Sequence, residues 1–324
     1  MNYIKSCLKN ILSYKQRLAL KKFKRKMVNQ SKGIFRKKVT LAMMENFLLK
    51  ELEIKKGDRL IVASSFGNLN ATFSPKELVE LLKKIVTDEG VIMMPYYPPG
   101  NSYEWARQGN IFDMQNTKSS MGILTNVFAH SEGVVKSIHP TKAVCVWGKD
   151  SKLIVSGHEN STTPFYWDSP YGKLLKLGSK SLGLGIKNIP IFHTFEDVLL
   201  CGVEDYYESE IYNLKVKIES GKIINVKTKV HDEALNARLI LAGDYVKKIN
   251  CTSYIRKKLG FTFCYIVGNS ELFENCKIEV RDGQKTVYSE NTDMSPDKAY
   301  HKYIDAEISD IHNITVTLSS ADGK

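Results

Sequence analysis

The sequence has no run of 18 or more apolar residues, so it predicts no transmembrane helix. Its six cysteines form no C-x-x-C pair and show no metal-ligand spacing, and several lie in apolar runs. We interpret them as reduced core residues of a cytoplasmic protein and expect neither a disulfide framework nor a zinc site. No internal repeat is present. A chain of 324 residues is long enough for one large or two small globular domains.

Acidic residues are missing from one segment. Residues 1–40 hold 13 of the 47 lysines and arginines but no aspartate or glutamate, whereas the rest of the chain carries 34 basic and 35 acidic residues. The net charge of +12 therefore belongs to this basic N-terminal extension, and the nearly neutral body is not typical of a nucleic-acid-binding protein.

The extension has apolar residues at helical spacing and lacks the apolar core of a secretory signal. We interpret it either as a partly helical segment that docks on an anionic membrane surface or an acidic partner, or as a solvated tail. The apolar residues are Ile4, Leu8, Ile11 and Leu12.

The body starts with a strand, helix and strand pattern. The apolar run at 60–65 is typical of a buried strand that ends at a polar site. Ser74 and Pro75 predict a helix start, and leucines at helical spacing extend the helix over 75–86. The apolar run at 90–95 completes a βαβ unit with a right-handed crossover. Functional side chains gather at the carboxyl ends of such strands. Here those ends carry Ser64, Ser65 and Pro95.

The segment that begins VVKSIHPTKAV has an unusual density of polar side chains beside short apolar strands. Lys136 and Ser137 supply a cation and a hydroxyl that suit phosphate oxygens. His139 either contacts a ligand or is a turn histidine bonded to backbone groups. Further along, His193 and Glu196 stand three residues apart on a predicted helix, so they share one face.

The His-x-x-Glu pair is also half of a metal site. A di-iron site would need a second such motif and further carboxylates on other helices, and the sequence has none at suitable places. We therefore expect no metal.

The segment 213–233 alternates apolar and polar residues around a Ser-Gly turn and predicts a β-hairpin. Its second strand places Thr228 and Val230 on one face, and Asp232 continues that parity. An acid there could reach His193. The alternative is a solvated turn carboxylate.

Three runs near the C-terminus predict further strands: FTFCYIVG, KIEVRDGQKTVYS and NITVTLSS. Asp282 and Gly283 form the expected hairpin turn. We expect residues 281–324 to be a β-rich C-terminal extension.

Three motifs resemble the pattern of the aminoglycoside 3-N-acetyltransferase family, whose members depend on acetyl-CoA. The family pattern runs Arg/Lys-Ser-x-His-Pro-Thr-x-Ser, then Pro-x-Gly-x-x-Ser-Pro-Tyr-Gly, then Leu-His-x-x-Glu. With upstream segments in the same order, the resemblance covers roughly residues 45–235. Two positions depart from the pattern, because Ala63 replaces a histidine and Tyr166 replaces a glycine. The matching residues are Lys136, Ser137, His139, Pro140, Thr141, Pro164, Ser169, Pro170, Tyr171, Gly172, Leu174, His193 and Glu196.

The resemblance implies a three-layer α/β/α sandwich around a central mixed sheet for residues 41–280. It implies acetyl-CoA, or another acyl-CoA, as co-substrate. In the family an acidic residue follows an equivalent hairpin, and this position corresponds to Asp232. We expect the acceptor at Glu104, Asp113 and Tyr171. The residues expected at coenzyme A are Ser64, Ser65, Lys136, Ser137, His139 and Thr141.

Amide formation from a thioester needs a neutral amine, so a base must reach the amine nitrogen. Histidine suits this role because its unperturbed pKa is about 6.5. We assign His193 as the base, with Asp232 as the first candidate for the carboxylate behind it and Glu196 as the second. No cysteine lies in the matched motifs, which favours direct transfer over a covalent acyl-enzyme.

Three functions remain open. The first is acetylation of an amino sugar in a precursor of a cell-surface glycan, which suits a neutral body with a basic extension. The second is acetylation of aminoglycoside antibiotics, which confers resistance. These acceptors are polycations and favour an acidic cleft. The third is a non-catalytic protein that binds membranes or nucleic acid through its extension. This last function would leave the histidine motifs unexplained.

Overall fold

The computed structural model describes residues 38–161, 163–199, 207–232, 246 and 251–281. In chain order the strands are β1 (Arg59–Ser64), β2 (Val91–Pro95), β3 (Phe112–Asp113), β4 (Val135–Lys136), β5 (Val144–Gly148), β6 (Lys180–Leu184), β7 (Tyr212–Lys217), β8 (Ile223–Thr228), β9 (Ile255–Leu259) and β10 (Thr262–Gly268). The α-helices are α1 (Leu41–Asn46), α2 (Pro75–Val86), α3 (Ser102–Arg107), α4 (Ile123–Phe128), α5 (Ser151–Val155), α6 (Pro170–Lys176), α7 (Phe192–Leu199) and α8 (Asn269–Arg281).

The described strands form a seven-stranded mixed sheet with the order β4-β5-β2-β1-β6-β10-β9. Strand β1 is parallel to both β2 and β6, while the strands outside these three pair antiparallel. The predicted parallel βαβ unit is therefore confirmed. A three-stranded sheet, β3-β7-β8, contains the predicted hairpin.

Helix α2 forms where the sequence predicts it. The side chain of Ser74 accepts a hydrogen bond from the backbone N–H of Glu77, whose carboxylate accepts one from the backbone N–H of Ser74. This reciprocal cap, followed by Pro75, fixes the first turn. The buried side chains of α2 pack on one face of the sheet.

Apolar side chains cover both faces of the large sheet. Along β1, Leu60 and Val62 lie in one buried cluster and Ile61 lies in another. The first cluster includes α2 and α4, and the second includes α6, α7 and α8. This arrangement confirms the predicted layers of helix, mixed sheet and helix.

The C-terminal prediction is partly wrong. The run FTFCYIVG forms β10, as predicted, but the next predicted strand begins inside helix α8, which includes residues 277–281. Leu272, Phe273 and Cys276 of α8 pack into the core at helical spacing, and this packing outweighs the strand-like pattern that follows. The other predicted C-terminal strand and the Asp282-Gly283 turn lie outside the described residues.

Val39 is fully buried and its backbone N–H bonds to the carbonyl of Asn70. The boundary expected at residue 41 stays a prediction. The N-terminal extension lies almost entirely outside the described residues. No helix in the described part of the chain is both long and apolar enough to span a bilayer. The four cysteines that the structure describes are free thiols.

Candidate active site

His193 lies in the first turn of α7. Its Nδ1 atom is buried and lies 3.4 Å from Oε2 of Glu196, one helical turn later. The side chain of His193 is 24% exposed, whereas that of Glu196 is 2% exposed. Since Nδ1 itself is buried, solvent reaches the ring through its other atoms. The carboxylate of Glu196 favours a proton on Nδ1, which leaves Nε2 as the basic nitrogen.

Two aromatic rings hold the imidazole of His193 in place. The ring centroid of Phe165 lies 4.9 Å from that of His193, and the ring of His231 also lies 4.9 Å away. Phe165 and His231 stack with an interplanar angle of 11°. We call His193, Glu196, Phe165 and His231 the His193 site.

The His193 site rests on a buried carboxyl group. Tyr207 packs against His231 with a centroid distance of 4.5 Å, and its hydroxyl donates to both oxygens of Asp197 at 2.8 and 2.7 Å. The hydroxyl of Thr163 also donates to Asp197. Burial raises the pKa of Asp197 to about 7, and these hydrogen bonds oppose the shift. The interactions of Asp197 position the wall of the site that contains His231.

Burial lowers the pKa of His193 to about 3, and the charge of Lys142 lowers it further. The geometric contact with Glu196 acts in the opposite direction, because a carboxylate favours the imidazolium. The lowered pKa keeps His193 neutral at pH 7. A neutral imidazole is the form that can accept a proton.

Glu196, the second candidate for the supporting carboxylate, is the acid that lies against Nδ1 of His193. Asp232, the first candidate, is partly exposed, and it is its neighbour His231 that contacts the ring of His193. The alternation of buried and exposed side chains ends with the strand at Thr228. Beyond it the consecutive residues Val230 and His231 are both buried. The backbone of His231 forms a bridge with Tyr207, which turns the chain out of the alternating pattern.

His139 is fully buried, and protein groups contact both of its ring nitrogens. Nδ1 accepts from the backbone N–H groups of Thr141 and Lys142, at 3.2 and 2.9 Å. Nε2 lies 3.1 Å from the hydroxyl of Thr228 on β8. These contacts match the turn-histidine alternative, and a role for His139 at coenzyme A stays a prediction.

His139 also stacks on a second buried histidine, His158, at a centroid distance of 4.6 Å. Nδ1 of His158 lies 2.8 Å from the hydroxyl of Ser137, and Nε2 lies 3.1 Å from the carbonyl of Pro164. The hydroxyl of Ser137 accepts a hydrogen bond from the backbone N–H of Val144. Ser137 and His139 therefore join β5, β8 and the loop before α6.

The remaining residues expected at coenzyme A have different settings. The ammonium of Lys136 donates to the carbonyl of Met114 at 2.6 Å and lies 4.9 Å from the centre of the Tyr96 ring. The hydroxyls of Ser64 and Thr141 are buried and have no hydrogen-bond partner among the described residues. Ser64 is the last residue of β1, and Ser65 follows it. Both residues are partly exposed, although the hydroxyl of Ser64 is buried.

The residues expected at the acceptor are engaged within the protein. The carboxylate of Asp113 accepts hydrogen bonds from Gln115 and Asn116 and pairs with Lys217 at 3.1 Å, and these contacts lower its pKa. Glu104 caps the start of α3.

Tyr171 is fully buried, and its hydroxyl lies 2.7 Å from that of the partly exposed Tyr97. Burial raises the pKa of both phenols, so each hydroxyl remains protonated at neutral pH. A role for Tyr171 in acceptor binding stays a prediction.

The Ser-Pro-Tyr-Gly motif builds the start of α6. The hydroxyl of Ser169 accepts a hydrogen bond from the backbone N–H of Gly172 at 3.2 Å, and Pro170 occupies the first turn. A side chain at Gly172 would place its Cβ 2.4 Å from the carbonyl oxygen of Tyr166. The glycine therefore permits a close contact between the helix and the preceding loop, which carries Phe165 of the His193 site.

A profile described as "Aminoglycoside 3-N-acetyltransferase" matches residues 61–275. The chain belongs to this family. It is therefore an acetyl-CoA-dependent acyltransferase and not the non-catalytic protein of the third alternative. A second profile, "YphG-like protein, second domain", matches residues 264–324, most of which lie outside the described residues. No curated protein matches the chain.

Solved aminoglycoside 3-N-acetyltransferases share the fold. Aminoglycoside acetyltransferase AAC(3)-Xa is 15% identical, with a TM-score of 0.65, and the match covers 79% of this chain and 98% of that one. AAC-IIIb in a binary complex with CoASH is 16% identical, with a TM-score of 0.62, and the match covers 77% and 99%. AAC-VIa bound to sisomicin is 17% identical, with a TM-score of 0.62, and the match covers 77% and 100%.

At the two departures from the family pattern, Ala63 is buried in β1, whereas Tyr166 is exposed in the loop before α6.

Among the described residues, no group of three or more histidines, cysteines, aspartates and glutamates could hold a metal ion.

The residues that the sequence analysis missed include Phe165, Asp197, His231, Lys142 and Tyr97. Lys142 stood inside a matched motif, directly before a buried strand. That combination of a lysine and apolar neighbours was the available signal.

Proposed function

We propose that the protein transfers an acetyl group from acetyl-CoA to a primary amine of an amino sugar, with His193 as the general base. The observation that carries this proposal is the geometry of the His193 site. A partly exposed imidazole has Nδ1 against the buried carboxylate of Glu196, so Nε2 is the nitrogen available to an acceptor.

In the proposed reaction, Nε2 of His193 accepts a proton from the acceptor amine as its nitrogen attacks the thioester carbonyl. A new C–N bond forms, the C–S bond breaks, and coenzyme A leaves as the thiolate, which takes up a proton. Glu196 stabilises the imidazolium that forms on His193. No covalent bond to the protein is needed.

Coenzyme A is proposed to bind along the carboxyl ends of β1 and β2. The buried hydroxyl of Ser64 supports this assignment, because it has no hydrogen-bond partner among the described residues and could bond to a pantetheine amide. Ser65 follows at the same edge of the sheet. Lys136 is the nearby cation proposed for a phosphate, although its ammonium also bonds to the carbonyl of Met114.

We propose that the acceptor is an amino sugar in a precursor of a cell-surface glycan. The engaged carboxylates of Glu104 and Asp113 support this choice, since neither is poised to bind a polycation. The second candidate is an aminoglycoside antibiotic, and it is favoured by the structural neighbour AAC-VIa, which was solved with sisomicin bound.

A coenzyme A release assay tests the proposal. The full chain is incubated with acetyl-CoA and, in separate reactions, with gentamicin, sisomicin, glucosamine or nucleotide-linked amino sugars. Reactions without acceptor measure background hydrolysis. We expect acceptor-dependent release with an amino sugar and a product that has gained one acetyl group by mass spectrometry. Release with only the antibiotics would assign the second candidate, and no release with any amine would contradict the proposed chemistry.

The basic N-terminal extension is proposed to bring the enzyme to an anionic membrane surface. Each basic residue near such a surface adds about 1 kcal/mol of attraction. Replacing the five basic residues of the KKFKRK run at 21–26 with glutamine should therefore greatly reduce sedimentation with phosphatidylserine vesicles at low salt. Acetylation of a soluble acceptor should not change. Equal sedimentation of both proteins would contradict the proposal.

A further inference from the structure

The ammonium group of Lys142 lies against an aromatic ring that borders the His193 site. Lys142 follows the His139 turn and precedes β5, which places it at the edge where β2 ends. Its Nζ atom lies 4.5 Å from the centre of the Tyr97 ring. Tyr97 connects Lys142 to the His193 site, because its hydroxyl lies 2.7 Å from that of Tyr171, whose ring lies 5.3 Å from the ring of Phe165. The charge of Lys142 also lowers the pKa of His193 and His231, which agrees with this placement.

Lys142 forms no ion pair with any carboxylate in the described ranges, and its ammonium lies over the face of the Tyr97 ring. The side chain is densely surrounded yet remains partly exposed. Burial lowers its pKa to about 8, so it is still mostly protonated at pH 7. The attraction between a cation and an aromatic face offsets only part of the cost of desolvating a charge.

The two buried acids on α7 have other partners. Glu196 lies against His193, and Asp197 accepts from Tyr207 and Thr163. Lys142 is therefore a positive charge on a partly exposed residue, next to the rings of Tyr97 and Tyr171 that border the His193 site. A ligand with an anionic group at this position would supply a counter-charge that the described carboxylates do not.

We propose that Lys142 forms an anion-binding subsite beside His193, and that it selects acceptor amino sugars carrying a phosphate or carboxylate over neutral or polycationic ones. The inference rests on the proposed function for the position of the acceptor amine. It deepens that function because it gives the chemical class of the acceptor. A polycation would place further positive charge against Lys142, and this like-charge contact would oppose its binding.

Calorimetry on the full chain with coenzyme A present tests the subsite without requiring turnover. The matched probes are glucosamine and glucosamine 6-phosphate, which share the amine and differ by one anionic group. We expect the wild-type protein to bind the phosphate at least about 10-fold more tightly, because hydrogen bonds between charged partners are roughly twice as strong as neutral ones. Glucosamine 6-sulfate and glucuronic acid then show whether the subsite distinguishes phosphate from other anions.

Three variants assign this preference to one side chain. Lys142→Gln should reduce the preference to within about 2-fold, while Lys142→Arg should retain it, because the guanidinium keeps the charge. Lys83→Gln is the control, because Lys83 also stacks on an aromatic ring, 5.2 Å from the centre of Trp147, but on α2. It should leave the preference unchanged. Thermal melts of each variant verify folding.

Equal binding of the two sugars to the wild-type protein, including no detectable binding of either, would overturn the subsite, as would a Lys142→Gln variant that keeps the preference. Acetyl transfer is measured with the same sugars. If Lys142→Gln lowers kcat/KM equally for both, its charge acts on the reaction, and the subsite is overturned. A wild-type protein that prefers the phosphate but acetylates no amine would contradict the proposed function and leave the subsite standing.

Discussion

The described residues include two pairs of neighbouring histidines with very different surroundings. In the pair of His139 and His158, both rings are fully buried and a protein group contacts each ring nitrogen. In the pair of His193 and His231, the side chain of His193 is 24% exposed, and a carboxylate oxygen of Glu196 lies 3.4 Å from its Nδ1. Ring spacing is similar, at 4.6 and 4.9 Å.

The difference shows what makes a histidine suitable as a base. Burial lowers the pKa in both pairs, so a shifted pKa does not distinguish them. Partial exposure of the side chain and a carboxylate beside Nδ1 do distinguish them. The first pair is a scaffold that holds strands and loops together, and the second contains the proposed base.

The largest effect on kcat is expected from a substitution of His193, the partly exposed histidine. His193→Gln should lower kcat by about 100-fold or more, since a general base contributes a factor of about 100 to 10,000, and coenzyme A binding should remain within a few-fold. Steady-state kinetics and calorimetry measure the two effects. His130→Gln, which changes an exposed histidine in the loop after α4, should be unaffected. Near-normal turnover without His193 would remove it from the role of base.

A change in the fully buried pair, His139 and His158, should affect the stability of the protein and not its turnover. His158→Leu removes the contacts to Ser137 and Pro164 and should lower the free energy of unfolding by about 2 kcal/mol, because buried polar groups lose their partners. Turnover per folded molecule should not change. Urea unfolding and active-site titration separate the two quantities. A selective loss of kcat with normal stability would show that this pair also takes part in the chemistry.

A smaller effect is expected at the supporting acid. Glu196→Gln retains the shape of the side chain but removes its charge, so the imidazolium of His193 is less stabilised and kcat should fall by about 10-fold. Asp232→Asn provides the comparison, because Asp232 was the other candidate. If Asp232→Asn lowers kcat more than Glu196→Gln does, the assignment of the supporting acid is reversed.

A change in acid sensitivity is expected as well. Burial lowers the pKa of His158 to about 3, so between pH 6.5 and that value the unfolded chain binds a proton that the native protein does not. Stability therefore falls as the pH drops through this window, by about 1.4 kcal/mol per pH unit for one such group. Asp197, with its pKa raised to about 7, acts oppositely, since its contribution to stability is lost as the pH rises from about 4 to 7.

The unfolding free energy of wild-type protein and His158→Leu, measured from pH 7 to pH 4.5, tests this prediction. The wild-type curve should be steeper by the contribution of one histidine. Parallel curves would mean that His158 is protonated in the native protein.

Local signals predicted much of the fold. The cap at Ser74 and the leucine spacing after it both lie within one helix, so the sequence alone was sufficient for α2. The start of α7 and the His193 and Glu196 pair were predicted for the same reason. Helix α8 was missed in part because its packing against the distant core decides its structure.

The site was predicted less completely because its other members come from separate segments. His231 approaches His193 only through the bridge with Tyr207, which strand parity cannot anticipate. The contact between Lys142 and Tyr97 depends on the pairing of β2 with β5. His158 was not considered, because its partners Ser137 and Pro164 are joined to it only in the folded protein.

The two edge strands of the large sheet oppose pairing between molecules. Within the described sheet, one end is β4, with only two residues, and the other is β9, which contains Arg256, Lys257 and Lys258 in succession. A second molecule that paired along β9 would bring like charges together, and β4 is too short to template a long ladder. These two ends should therefore resist the edge-to-edge pairing that leads to aggregation when the protein is concentrated.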